Sequence, residues 1–239
     1  MYADLRGKVA LITGAAGNLG RAVAHRLHAE QVKLVLTDRS EEGLRRVAEA
    51  IGAALDVFQT VVADISEPEE VPALIDKTLH AFGRLDILVN VAGGFRMASV
   101  LDMAPLDWEA LFNLNTKTAF LTSAAAARAM KSTETRGRII NIGARAALAG
   151  GPGLAAYSAS KAAVLRLTES MAAELLEDRI TVNAVLPSTL DTPANRQAMP
   201  DADPGAWVSP ASLAEVIAFL ASEAARDISG AAIPVYGRA

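Results

Sequence analysis

Five times in succession a short run of strand-forming residues gives way to a stretch with helical spacing, and no other feature narrows the fold of this chain as far. Residues 8–13 (KVALIT) lead into a glycine cluster and then into Leu19, Val23 and Leu27, which fall on one face of a helix. The alternation returns at 32–37 with 41–51, at 57–62 with 67–82, at 85–90 with 106–131 and at 138–142 with 157–176. Serial βα units place their strands side by side and parallel, with helices on both faces and right-handed crossovers. Residues 180–185 read as a sixth strand, 210–221 as a helix opened by Pro210, and 232–235 as a short last strand. The expected architecture is α/β, a doubly wound parallel sheet of about seven strands. At roughly 150 residues per domain, 239 residues without a Pro-, Gly- or Ser-rich linker predict a single domain over 1–239.

One stretch leaves the pattern. Residues 187–209, whose proline, glycine and acidic residues leave the regular pattern, follow the sixth strand at the edge where open parallel sheets bind ligands. That position favours a mobile substrate lid over an ordinary long connection.

Composition removes whole classes of chemistry. There is no cysteine, so disulfides and thiolate sites are excluded, and the three histidines, His25, His28 and His80, fall in peripheral predicted helices with no ligand-like cluster. No metal is expected. A net charge of -4 without a Lys/Arg block argues against nucleic acid as a partner. No apolar run approaches a membrane span, and the first residues carry an acid and run straight into a strand, unlike a secretory leader. The expectation is a soluble, cytoplasmic protein that acts on a small molecule.

The glycine cluster Thr13-Gly14-Ala15-Ala16-Gly17-Asn18-Leu19-Gly20 lies between the first strand and the first helix, the context in which such a cluster binds phosphate. Gly14 and Gly17 let the backbone approach a pyrophosphate, Gly20 lets the helix sit close to the sheet, and the helix amino end favours the anion. Asp38 ends the second strand 24 residues after Gly14, a spacing suited to a carboxylate that holds the adenosine ribose hydroxyls. A carboxylate there repels a 2'-phosphate and argues for NAD over NADP, whereas Arg39 next door could pair with that phosphate.

Tyr157-Ser158-Ala159-Ser160-Lys161 places a phenol and an ammonium on one helix face, one turn apart. Adding hydride to a carbonyl requires a proton donor at the oxygen, and a nearby lysine cation is expected to favour the phenolate needed for the reverse reaction.

With both motifs in register, the chain resembles the short-chain dehydrogenase/reductase family over almost its whole length. The resemblance implies a Rossmann-type fold and an NAD(P)(H)-dependent oxidoreductase that moves hydride between nicotinamide and a carbonyl, an alcohol or an activated double bond. It makes Tyr157 the proton donor or acceptor, with Lys161 also holding the nicotinamide ribose. Trp108, then Asn115 seven residues later, then Phe120 match the segment that supplies the family's catalytic asparagine, which the resemblance implies organises a water in a proton relay to the lysine; Asn113 competes, the spacing favours Asn115, and a helix-kinking structural amide is the alternative. In family terms Asp64 and Ile65 border the adenine, and Asn90-Val91-Ala92-Gly93 lies behind the cofactor. Asn90 is equally suited to tie strand ends together. Beyond Pro187, Thr189 and Thr192 approach the nicotinamide, with Ser188 in place of a usual glycine.

Two departures stand out. Asn18 replaces a glycine of the family turn, and its tolerance of positive φ implies an adjusted turn. Thirteen residues before Tyr157, where the family has a serine that binds the substrate oxygen, the chain has Ala144. Losing one donor to developing oxygen charge costs a few kcal/mol in an enzyme that relied on it, and neither Ser158 nor Ser160 is a convincing replacement. The sequence is also similar in places to dihydropteridine reductases, which work without that serine: in 143–157, in 91–94 and in 189–200. Pteridine reduction with NADH and a catalytically weakened nucleotide-binding protein are therefore the alternatives. Arg96 and Arg145 follow strand ends and are candidates for the pocket mouth, although a solvated or paired surface position is the favoured reading for each. The resemblance further implies a homotetramer or homodimer paired through 106–131 and 157–176, where Ala124 to Ala127 and Ala172 to Ala173 permit close helix approach.

Overall fold

A computed structural model describes residues 2–52 and 57–238; positions 1 and 239 of the expected domain lie outside the described residues. Seven parallel strands form one sheet: β1 (Val9–Thr13), β2 (Lys33–Asp38), β3 (Phe58–Val62), β4 (Ile87–Asn90), β5 (Arg138–Ile142), β6 (Thr181–Pro187) and β7 (Ala232–Val235). Their order is β3-β2-β1-β4-β5-β6-β7. The winding reverses between β1 and β4, which opens a crevice beyond the strands' carboxyl ends. Thr13 pairs with Thr37 on one side and Asn90 on the other, and Asn90 pairs with Asn141, so the ends that carry the site lie level.

The central strands β1, β4, β5 and β6 are buried along their whole length because both faces are covered, whereas β3 and β7 at the edges are partly exposed. In β1, Ala10 and Ile12 face one layer while Leu11 faces the other. The first layer is α1 (Asn18–Ala29), α2 (Glu41–Ile51) and α8 (Pro210–Ala221), which contribute Leu27, Leu44 and Ile217 to its core. The second is α3 (Glu70–Phe82), α5 (Thr118–Ser132) and α6 (Ala155–Glu174), with Leu74, Met130 and Met171. The alanines expected to permit close approach serve here: Ala125, Ala126, Ala127 and Ala172 are buried in this layer.

Two departures from the sequence reading affect the site. The helix expected over 106–131 is three pieces, α4 (Pro105–Phe112), a π-helical turn over Asn113–Lys117, and α5. The stretch 187–209 contains a short helix, α7 (Pro193–Ala198), and its two limbs are joined. Leu190 and Val208 form a parallel bridge, with the Asp191 N–H donating to the Val208 carbonyl at 2.8 Å and the Val208 N–H to the Thr189 carbonyl at 2.9 Å.

Candidate active site

The glycine turn is built by close backbone approach. The Thr13 hydroxyl oxygen, at the end of β1, accepts from the N–H groups of Val91 and Ala92, both at 3.1 Å, and so pins the segment after β4. Gly14 has φ +61, and a Cβ there would stand 2.7 Å from the Ala92 nitrogen. A Cβ on Gly20 would overlap the Gly14 carbonyl oxygen. Gly17 is the N-cap of α1 and brings no side-chain acceptor, and the first turn holds no acidic residue. The N–H groups at Asn18, Leu19 and Gly20 thus begin a helix whose positive end is left for an external anion. The expectation of an Asn-adjusted turn is corrected: the left-handed residue is Gly14, and Asn18 is the first helical residue, its side-chain oxygen accepting from Arg21 at 2.7 Å.

Asp38 closes the neighbouring strand. Its carboxylate accepts from the N–H groups of Ala16 at 3.1 Å and Ser40 at 3.0 Å, which fixes it beside the turn. Arg39 is exposed and pairs with Asp64 at 3.6 Å. The Ser66 hydroxyl, donating at 2.6 Å, holds the Asp64 carboxyl below the usual carboxylate range. Gly14, Asp38, Arg39, Asp64, Ile65, Ala92 and Gly93 line one cleft, joined by Leu114 and Thr118, which carried no motif in the sequence. Glycines that a Cβ would fill, an uncapped helix start and a fixed carboxylate fit an adenine dinucleotide laid across the strand ends.

Asn90 does a different job. Its Nδ2 donates to Ser123 and to Asn141, both at 2.8 Å, and its Oδ1 accepts from Thr122 at 2.7 Å. Asn141 passes the chain on to Thr168 at 2.9 Å. The amide is fully engaged within the protein, so a ligand could meet Asn90 only through its backbone. The strand-tying role is the one its side chain performs.

The π turn explains Asn115. Its extra residue turns this amide inward, where it is 1% exposed. There its Nδ2 donates to the Ser160 hydroxyl at 3.0 Å, and its Oδ1 would lie 2.7 Å from a Cβ on Gly93. The Thr116 hydroxyl adds a bond to the Ser160 carbonyl at 2.9 Å, and Ser160 donates to the Tyr157 carbonyl at 2.8 Å. These contacts lock the first turns of α6 against the π turn, a role for Ser160 that its spacing from Lys161 did not disclose.

Tyr157 and Lys161 stand on α6 as the four-residue spacing predicted. Lys161 is 5% exposed and donates to the Ile142 carbonyl at 2.7 Å. Burial lowers its ammonium to about 8 and pushes the Tyr157 phenol up to about 12. In the protein alone desolvation is the cause of both shifts, and the phenol stays protonated at neutral pH. The Tyr157 ring meets Phe95 edge-on, with centroids 4.9 Å apart.

Beyond β5, Ala144 is extended and 6% exposed, and its methyl offers no donor. Arg145 stacks over the Tyr236 ring at 5.0 Å, and Arg96 bonds to Asp107 at 2.6 Å. Both are engaged in the protein, in keeping with the reading of them as paired surface residues. Beyond β6, Pro187 is buried, Ser188 donates to the Tyr236 carbonyl at 2.7 Å, and the Thr192 hydroxyl accepts from Asn195 at 3.2 Å to cap α7. Thr189 is tied to Val208 through its carbonyl. No group of three or more His, Asp or Glu among the described residues could hold a metal.

Comparison with known proteins extends these observations. Residues 8–203 match the family model described as short chain dehydrogenase. The 3-oxoacyl-[acyl-carrier-protein] reductase FabG of Escherichia coli (strain K12) is 33% identical, over 98% of each chain. The 2-dehydro-3-deoxy-D-gluconate 5-dehydrogenase of the same organism is 34% identical, over 98% of this chain and 96% of that one. Among solved structures, an NAD+-bound xylitol dehydrogenase superposes with a TM-score of 0.90 at 29% identity, over 98% of this chain and 99% of the other. A mutant of a Serratia marcescens short-chain dehydrogenase/reductase gives 0.88 at 30%, over 98% of each chain. Likeness of that reach, over a reversed sheet with a glycine turn at one strand end and a tyrosine-lysine turn at another, leaves one conclusion: the chain is a nicotinamide-dependent oxidoreductase and belongs to the short chain dehydrogenase family.

Proposed function

We propose that the protein is an NAD(H)-preferring enzyme that interconverts a small-molecule carbonyl compound and its alcohol, with Tyr157 as proton donor in reduction and acceptor in oxidation. The observation that carries the reading is the placing of Tyr157 and Lys161, one turn apart on α6, above the strand ends that also hold the glycine turn. A nicotinamide dinucleotide held in the cleft would supply hydride to the carbonyl carbon. Tyr157 would give its phenol proton to the carbonyl oxygen, so that ketone becomes alcohol and the tyrosine is left as phenolate. A phenol raised to about 12 enters reduction already protonated. Lys161 lies where an ammonium can stabilise the phenolate left behind and hold the nicotinamide ribose, and Asn115 positions α6. Asp38 supports NAD over NADP, since its carboxylate would repel a 2'-phosphate.

In this reading Gly14, Gly17, Asn18, Leu19 and Gly20 cradle the pyrophosphate, and Asp64 and Ile65 flank the adenine. Ala92 and Gly93 back the cofactor, and Pro187, Thr189 and Thr192 approach the nicotinamide. Residues 187–209 act as the substrate lid. In this reading Ala144 takes the position that the family resemblance gives to a serine, and the substrate oxygen is held by Tyr157. The carbonyl-alcohol reading takes precedence over pteridine reduction and over a non-catalytic nucleotide-binding role because the relatives' names are those of ketone reductases and alcohol dehydrogenases. We place the enzyme in the cytoplasm as a homotetramer or homodimer. Exposed Leu106 and Phe120 support pairing through α4 and α5, and no helix among the described residues is long and apolar enough to cross a membrane.

The test is Tyr157→Phe. It is expected to remove at least about 99% of ketone reduction, the scale of general acid catalysis, while NADH affinity stays within about threefold. Equal turnover by the variant would refute the proton role.

A further inference from the structure

The segment that leaves β4 packs against Tyr157 and the start of α6, and the open side chains there and after β5 share one chemistry. Phe95 is 65% exposed although its ring touches Tyr157. Met97 is 62% exposed and is held over the start of α6, where the Ala98 N–H donates to the Gly153 carbonyl at 2.9 Å and Met97 Cγ would stand 3.0 Å from a Cβ on Gly153. After β5 come buried Ala144, with no donor, and exposed Leu148. Two arginines of these segments are already paired with carboxylates: Arg96 is bonded to Asp107, and Arg196 grips Asp191 through two bonds of 2.6 and 2.8 Å, while Arg145 lies over the Tyr236 ring. A carboxylate or phosphate on the substrate would have to compete with Asp107 or Asp191 for the first two, and a polyol would find no hydrogen-bonding side chain at Phe95, Ala144 or Leu148. Exposed apolar side chains grouped beside a reacting phenol mark a surface that a ligand covers.

We propose that the substrate is an uncharged, apolar ketone, or the matching secondary alcohol, whose flat flanking group rests on Phe95 and Met97. The proposal rests on the carbonyl-alcohol reading above and names its substrate class. Phe95 supplies a ring face and edge for an aromatic flank, and Met97 a deformable thioether that adapts to its outline.

The experiment compares four carbonyl compounds with NADH: 1-phenyl-1,2-propanedione, 2,3-butanedione, 2-oxobutyrate and xylulose. The expected kcat/KM for the aryl diketone is about tenfold above butanedione, the size of one good aromatic contact with its burial, and the keto acid and ketopentose fall below both. Phe95→Ala should raise KM for the aryl diketone about tenfold and change butanedione less than about threefold, whereas Phe95→Leu keeps part of the preference. Saturation-transfer NMR on NADH-loaded Tyr157→Phe gives a readout without turnover, with signal expected from the phenyl protons and none from 2-oxobutyrate. Preference for the keto acid or ketopentose overturns the proposal. So does an unchanged aryl KM in Phe95→Ala accompanied by a changed subunit number, which would assign the ring to a contact between copies. Failure of NADH to bind at all would instead overturn the dehydrogenase reading itself.

Discussion

Asn115 holds Gly94 by both of its polar groups: its Oδ1 accepts from the Gly94 N–H at 2.9 Å, and its Nδ2 donates to the Gly94 carbonyl at 3.1 Å. One buried amide thus does for the segment after β4 what a neighbouring strand would do. Asn115→Leu leaves the partly buried Gly94 N–H and carbonyl without these partners and removes one of the two bonds at the Ser160 hydroxyl. We expect a loss of about 2–4 kcal/mol in urea unfolding, the cost of a few orphaned polar groups. We also expect kcat to fall more than KM rises, because α6 and its tyrosine lose their brace.

Lys161 sits in the interior at a cost. Its ammonium is lowered from 10.5 to about 8, so between those pH values the unfolded chain binds the extra proton and the fold gains stability as pH rises. Lys161→Met removes the desolvation and is expected to raise Tm by about 2–4 °C below pH 8, on the scale of 1 kcal/mol for a domain of this size. The advantage should shrink above pH 8, and ketone reduction by the variant should be lost. The wild-type kcat/KM for reduction should stay level below pH 8 and decline above it as the ammonium deprotonates. Scanning calorimetry and a pH–rate profile check both.

Asp38→Ala separates cofactor choice from folding. It removes the carboxylate from the β2 end and leaves Arg39, 66% exposed in its side chain, to meet a 2'-phosphate. The NADH-to-NADPH affinity ratio should move toward NADPH by about 10- to 100-fold, the worth of one or two charge-assisted bonds. Fluorescence titration with each cofactor measures it. A smaller general loss with both is expected as well, because the Ala16 and Ser40 N–H groups lose their acceptor.

Ala144→Ser restores a hydroxyl at the end of β5. For a small ketone such as 2,3-butanedione, kcat should rise about tenfold or more, since one donor to developing oxygen charge is worth several kcal/mol in a site arranged for it. Steady-state kinetics on both proteins decide the matter. An unchanged rate would mean that the alanine is matched to a carbonyl that never used the hydroxyl.

The sheet was legible because its central strands are mainly apolar runs buried on both faces and most of the long helices announce themselves by spacing. The Tyr157–Lys161 pair was legible for the same geometric reason. Its electrostatics were not: the direction in which each group shifts depends on how much protein surrounds it, and no spacing encodes that. Nor does hydrophobic periodicity mark a π turn, since one extra residue in 113–117 leaves the apolar stripe nearly intact while swinging Asn115 inward. Phe95 carried no signal because its partner lies 62 positions away, across the sheet. Asn18 misled through a correct propensity applied to the wrong residue, for the positive φ had already been taken by Gly14.

The run of hydrogen bonds from Thr122 through Asn90 and Asn141 to Thr168 crosses two helices and two strands without using any residue of the exposed loops. It acts as a chassis for the molecule. The loops bolted to it can be lengthened, recharged or exchanged while the spacing between α5 and α6, and with it the reach of Tyr157, stays fixed. Altering what such a protein transforms therefore requires no renegotiation of how it transforms it, which makes the 91–104 and 187–209 segments the natural places to retrain its selectivity.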